Sequence, residues 1–295
     1  MKVFYNNKYV ASKYAFDTTR KSKEIADSLQ KHPIEGVELV DPTAFEDTAL
    51  ALISDIHSTE YVEDVRTGGP LADSQGFDWD PGIYTMALAH SSGLVAAIEE
   101  VSAVGGCAGS LSSGLHHSRH DGGAGFCTFN GLAVAAMHAT NLGYTNICVI
   151  DFDAHGGGGT YSLIQKFMPS TVSQVDVVVS AFDVYSPADP KHHLEVVRNN
   201  RPYGEAIMEA MKHAVQLAPD LVIYNAGMDP INAGYLRSEL AYREELVTDI
   251  LSATKIPSVF AMAGGYTWGS TTMGELVNLH RLTVRAFAEH AHAWD

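Results

Sequence analysis

The sequence predicts an α/β fold, with one open and mainly parallel sheet flanked by helices. Three observations carry that expectation. Four runs, at 147–153, 175–182, 221–226 and 258–263, are mostly apolar with no sustained alternation, the pattern of strands covered on both faces. Helical stretches separate several of them, and alternating β and α elements argue for a parallel sheet. No repeat, low-complexity segment or linker interrupts the 295 residues, so 1–295 reads as a single domain.

Along the chain, the first elements are two short β-rich runs, KVFY at 2–5 and GVELV at 36–40. Helical stretches follow at 86–101 and 131–140. ICVIDFD at 147–153 then runs from apolar to polar and dissolves into four glycines. VDVVVSAF at 175–182 precedes a helical stretch at 203–217, and LVIYNA at 221–226 precedes another at 244–253. SVFAMA at 258–263 is the last run, and Gly264 and Gly265 close it.

Bulk properties narrow the function. The chain carries 19 Lys and Arg against 35 Asp and Glu, a formal net charge of −16, which repels nucleic acid and would draw in cationic ligands, although acidity that only keeps the protein in solution is an equal reading. The three cysteines, Cys107, Cys127 and Cys148, are widely spaced, which fits reduced buried thiols rather than a disulfide framework. No apolar run spans a bilayer and the first residues lack a signal-peptide pattern, so neither membrane nor export is expected and a cytoplasmic location is.

In an open α/β sheet, ligands bind at the carboxyl ends of the strands. Polar residues gather there: Asp151, Asp153 and His155; Asp183 and Tyr185; Asn225 and Asp229; and Tyr266 after two glycines. In an extended segment, side chains two apart share a face, so Asp151, Asp153 and His155 would converge. Two carboxylates and an imidazole together favour a divalent cation such as zinc or iron(II), although a solvated strand end is an equal reading of this run alone. Asp229 would complete an Asp153/His155/Asp229 set with a fourth position open, as in catalytic sites. The four glycines lack the lysine of a phosphate-binding loop and are better used for close backbone approach. His116 and His117, adjacent in a Gly/Ser-rich loop, could serve as a base and acid pair, and the Tyr266 hydroxyl as a donor to an oxyanion.

The segments GLHHSRHDGGAGFCTFN, VIDFDAHGGGGT, NAGMDP and AGGYT, in this order, resemble the zinc-dependent histone deacetylase superfamily, which includes acetylpolyamine amidohydrolases and bacterial deacetylases. HSTEYVEDV, from His57, and the helix beginning near Arg20 extend the resemblance over nearly the whole chain. The resemblance implies an arginase/deacetylase-like fold and a zinc-dependent amidohydrolase that removes an acetyl or short acyl group from an amine. It implies that Asp153, His155 and Asp229 hold zinc, that His116 and His117 are the histidine pair, and that Tyr266 polarises the carbonyl. Asp151 would orient His116. A structural potassium ion would lie beside Asp151, Asp153, His155 and Ser180. Gly125, Phe126, Gly264 and Gly265 are assigned to the substrate wall. The expected partner is a small-molecule or peptide N-acyl amine, and a homo-oligomer is compatible with the resemblance.

The sequence departs from that family at Gly158, where an Asp or Asn commonly braces the second histidine, so His117 is expected to lack its brace. The chain is also short for the family. Two rival readings are an arginase-like binuclear manganese ureohydrolase and a non-catalytic binding protein for acetylated ligands. The first needs an Asp at position 157, where a glycine stands, and the second draws on the missing brace.

Overall fold

The computed structural model describes residues 1–13, 17–198 and 202–294. Its centre is a sheet of β1 (Lys2–Phe4), β2 (Glu38–Val40), β3 (Cys107–Ser110), β4 (Ile147–Asp151), β5 (Val172–Val178), β6 (His193–Val196), β7 (Leu221–Asn225) and β8 (Ser258–Ala261). The order across the sheet is β2-β1-β3-β8-β7-β4-β5-β6. Every neighbouring pair is parallel, so the sheet is wholly rather than mainly parallel.

Burial on both faces explains the apolar runs. On β4, Cys148 and Ile150 join one hydrophobic cluster while Ile147 and Val149 join the other. The first cluster takes in α1 (Asp17–Lys31), through Ile25 and Leu29, and later the chain's last long helices. The second is filled by α2 (Glu46–Ile56), α3 (Thr59–Thr67), α4 (Pro81–Val104), α5 (Gly131–Asn141) and α6 (Gly158–Phe167). Back on the first face lie α7 (Tyr203–Gln216), α8 (Arg237–Thr254) and α9 (Met273–His290), through Ile207, Leu251 and Phe287. All three cysteines are buried thiols, as expected. Among the described residues no helix is long and apolar enough to cross a membrane.

The boundaries of β4 and β5 move from their expected places. β4 stops at Asp151 because the Asp153 N–H donates to the Asp151 side chain (3.1 Å), a local turn that competes with the ladder. β5 starts at Val172 and stops at Val178, after which the Val179 and Ser180 N–H groups both donate to the Ala154 carbonyl (3.0 and 2.9 Å). The segment after β5 is thereby strapped across the turn after β4. Arg243, fully buried on α8, fastens the same place from below. It donates to the Phe152 carbonyl (2.9 Å) and pairs with Glu244, which also accepts from the Tyr224 hydroxyl (2.8 Å).

Buried histidines give the fold a pH dependence. The Ser113 N–H donates to His90 Nδ1 (2.9 Å) while Nε2 faces the Tyr9 carbonyl (3.0 Å), and the Asn130 N–H donates to His57 Nε2 (3.1 Å) while Nδ1 faces the Arg119 carbonyl (2.7 Å). Each ring is thus held neutral as one tautomer, and burial pushes both down to about 4. Burial also lowers His117, His192 and His280, and these five outnumber the groups shifted upward, the carboxyls of Asp176 and Asp229 and the imidazoles of His116 and His155. The unfolded chain therefore takes up protons below about pH 6.5 that the native state refuses until about pH 4. Stability is expected to fall through that window as pH drops, by about 1 kcal/mol or more per pH unit. Urea midpoints at pH 7 and pH 5 check this, and equal midpoints would contradict it.

Candidate active site

The site residues lie beyond the carboxyl ends of β3, β4, β5, β7 and β8, which are neighbours at the middle of the sheet. After β4, the turn of residues 152–156 carries Asp153 and His155, and Asp229 opens a short 3-10 turn after β7. One donor atom from each of the three lies within 4.8 Å of the others, a spacing fit for a cation. His155 Nδ1 stands 3.1 Å from both Asp153 Oδ1 and Asp229 Oδ2. Asp229 Oδ2 is buried and, apart from the His155 ring nitrogen, meets no hydrogen-bond donor among the described residues, while Oδ1 accepts from the Ala154 N–H (2.9 Å). A Cβ on Gly264 would sit 2.4 Å from Asp229 Oδ2 and 2.5 Å from Asp153 Oδ2, so glycine there keeps the two carboxylates open to one point. Burial and the nearby Asp153 push the Asp229 carboxyl up to about 6. Two buried carboxylates and one imidazole, gathered with their ligand atoms facing one another, form a donor set that fits zinc.

Asp151 is separate from this set, contrary to a simple shared face along the strand. Because β4 ends at Asp151, alternation stops there, and Asp151 Oδ2 instead accepts from His116 Nδ1 (2.7 Å). Asn225 on β7 donates to its other oxygen (2.9 Å). His116 and His117 stack with centroids 3.9 Å apart, and His116 Nε2 lies 3.7 Å from Asp153 Oδ1. Burial opposes charge on His116, but Asp151 and Asp153 together outweigh it and raise it to about 10. Burial lowers His117, and the neighbouring positive charge of His116 adds to this, so that His117 falls to about 4. One histidine of the pair is thus a cation and the other a neutral base, the separation of acid and base that such sites use.

The expected absence of a brace on His117 is corrected by the structure. Position 158 indeed offers none, yet His117 Nδ1 faces Asp183 Oδ2 at 2.8 Å. The sequence places Asp183 at a strand end but gives it no partner, since nothing local links it to His117, 66 residues away. Arg119, which forms an ion pair with Asp183, was equally silent. So was Asp176, which lies in register with Asp151 on β5 and accepts from the Gly157 N–H (2.9 Å).

A narrow pocket leads to this centre, lined among others by His116, His117, Gly125, Phe126, Asp153, Gly264 and Tyr266. Gly125, with φ +50, packs so close to the His117 ring that a Cβ would fall 2.4 Å from it. Phe126 stacks on Phe77 (5.2 Å), and Phe182, half exposed, meets His117 edge to face (4.8 Å). Tyr266 is stacked flat on Trp268 (4.1 Å), and its backbone exchanges hydrogen bonds with Asn232 (3.1 and 3.2 Å). Gly265 is the exception among the expected wall residues. It faces Leu276 and His280, behind the pocket, where a Cβ would meet them at 2.7 and 3.0 Å. Ser180 lies beside the Asp153–His155 turn, its N–H on the Ala154 carbonyl and its hydroxyl accepting from the Phe182 N–H (3.2 Å).

Fold and site together define an open α/β protein with a candidate Asp–His–Asp metal centre beside a histidine pair and a tyrosine. The histone deacetylase domain model matches residues 15–280, and the chain belongs to that family. Among curated relatives, an uncharacterized protein of Picosynechococcus sp. is 25% identical over 252 residues, 78% of this chain and 79% of that one. A probable deacetylase of Methanothermobacter thermautotrophicus is 35% identical over 133 residues, but the match spans only 41% of this chain and 39% of that protein. The crystal structure of an acetylpolyamine aminohydrolase from Burkholderia pseudomallei superposes with a TM-score of 0.75, covering 97% of this chain and 98% of that one at 17% identity. The expected arginase/deacetylase-like fold is the one found.

Proposed function

We propose that the chain is a zinc-dependent amidohydrolase that removes an acetyl or short acyl group from an amine, such as acetyl-lysine in a peptide or an acetylpolyamine. The observation that carries the reading is that the pocket lined by Asp153, the histidine pair (one a cation, the other neutral) and Tyr266 reaches the Asp153/His155/Asp229 set. When bound, a divalent cation supplies Lewis acidity, polarising an acyl carbonyl and acidifying a water. The chain's own residues do the rest. Neutral His117 accepts the proton of the attacking water, whose oxygen adds to the acyl carbon. Tyr266 donates to the oxyanion that develops, and the cationic His116 lies beside it as a favourable charge. The C–N bond then breaks as an imidazolium delivers a proton to the amine nitrogen, releasing a carboxylate and a free amine. A structural potassium ion beside Asp151, Asp153, His155 and Ser180 belongs to the same reading, as does a cytoplasmic location.

The net charge of −16 favours an amine with further positive charges. The ureohydrolase alternative needs a second metal ligand at position 157, but a Cβ on Gly157 would already lie 2.6 Å from Gln174 Nε2. The reading is tested by screening zinc-loaded protein for acetate release from acetyl-lysine peptides, acetylpolyamines and small N-acetyl amines. The expected result is release by the wild type, one zinc per chain, and none from Asp153→Ala. Equal release by the variant would refute the metal centre, and two manganese ions per chain would support the ureohydrolase.

A further inference from the structure

Three of the four glycines at 156–159 hold the segment after β5, while Gly157 turns to Asp176 within β5. The Gly156 N–H donates to the Phe182 carbonyl (2.9 Å) and the Gly158 N–H to the Asp183 carbonyl (3.1 Å). A Cβ on Gly156 would lie 2.5 Å from the Asp183 carbonyl oxygen, and one on Gly158 would lie 2.4 Å from Asp183 Oδ1 and 2.6 Å from that same carbonyl oxygen. Side chains at these positions would therefore push the segment away. Position 158 cannot hold a carboxylate of its own while Asp183 fills the space.

Asp183 is held there from several sides. Its backbone adopts φ +54, a left-handed conformation that Asp tolerates better than most residues. Its Oδ2 accepts from the Gly159 N–H (3.2 Å) as well as facing His117 Nδ1, so the carboxylate also caps the first turn of α6, where a negative charge is favoured. The next N–H of that turn, from Thr160, donates to the His116 carbonyl (2.9 Å). Arg119 closes the arrangement by pairing with Asp183 Oδ1 through Nη2 and donating to the His117 carbonyl through Nη1 (3.3 Å). The Arg119 backbone is anchored in turn, its carbonyl facing His57 Nδ1 at 2.7 Å. A carboxylate so paired can fix an imidazole's orientation while an adjacent cation offsets the proton-attracting effect of its charge.

We propose that Asp183, clamped by Arg119 and the glycine run, is the positioning residue for His117, holding it as the Nδ1–H tautomer so that Nε2 is the basic atom. The proposal deepens the deacetylase reading and rests on it for its kinetic consequence, whereas the tautomer it assigns is independent of turnover. Asp183→Ala removes the acceptor. Asp183→Asn keeps a carbonyl oxygen able to accept the Nδ1–H and so is the conservative rescue. In zinc-loaded full-length protein, Asp183→Ala is expected to lower kcat about 10²-fold, with KM and zinc content close to wild type. Asp183→Asn is expected to stay within about tenfold of wild type. Imidazole 15N shifts, with the His117 signals assigned by their loss in His117→Gln, should show Nδ1 protonated in the wild type and in Asp183→Asn. Asp183→Ala should show mixed tautomers. A folded, zinc-loaded Asp183→Ala with unchanged kcat, or with an unchanged His117 tautomer, overturns the proposal. If the wild type releases no acetate, the deacetylase reading fails, and the 15N comparison still decides the role of Asp183.

Discussion

Asp229→Asn is expected to leave the folded protein without its metal and with turnover reduced about 10³-fold or more. The substitution is small. An amide oxygen at the position of Oδ1 still accepts from the Ala154 N–H, so the turn after β4 keeps its support. What changes is Oδ2, the buried oxygen beside the His155 ring nitrogen, and with it one of the two negative charges that balance a dication. A Lewis-acid contribution of several kcal/mol is lost, and each 1.36 kcal/mol is a tenfold change in rate. Two measurements check the result together. Metal analysis should fall from about one zinc per chain to a small fraction, and added zinc should raise the Tm of the wild type but not of the variant. A variant that keeps both its zinc and its turnover would show that Asp229 is only a turn residue before Pro230.

Tyr266→Phe is expected to lower kcat about 10²–10³-fold while leaving zinc content, KM and Tm nearly unchanged. The ring geometry makes this a clean test of one hydroxyl. Phenylalanine retains the flat stack on Trp268 and the two backbone hydrogen bonds to Asn232, which support the loop after β8. The effect belongs to kcat because the oxyanion exists only in the transition state and the intermediate that follows it. Turnover like that of the wild type would remove Tyr266 from the mechanism.

The parts of the molecule that were legible in the sequence share a physical origin. β4, β5, β7 and β8 lie at the middle of the sheet or next to it, are buried on both faces, and so announce themselves as apolar runs. β3 went unread because it is four small residues, CAGS, and β6 because it is a half-buried edge strand of mixed character. The start of α6 was hidden for a different reason. Glycine is a poor helix former, yet the helix begins within the glycine run, where donors from its first turn are satisfied by Asp183 and the His116 carbonyl.

By itself, the sequence offered the candidate metal set and the histidine pair, through polar residues just past the strand ends and through segments whose order resembles the family's. It could not determine what supports them. The separation of Asp151 from the metal set follows from one turn, where the Asp151 side chain captures the Asp153 N–H and ends β4. The support of His117 depends on two strands lying side by side, with the segment after β5 crossing glycines too small to repel it. That is a property of strand order and of empty space, and neither is written in any local run of residues. Only the tertiary structure shows that the glycine at 158 and the aspartate at 183 occupy one place, so that a site seemingly short of a carboxylate has one.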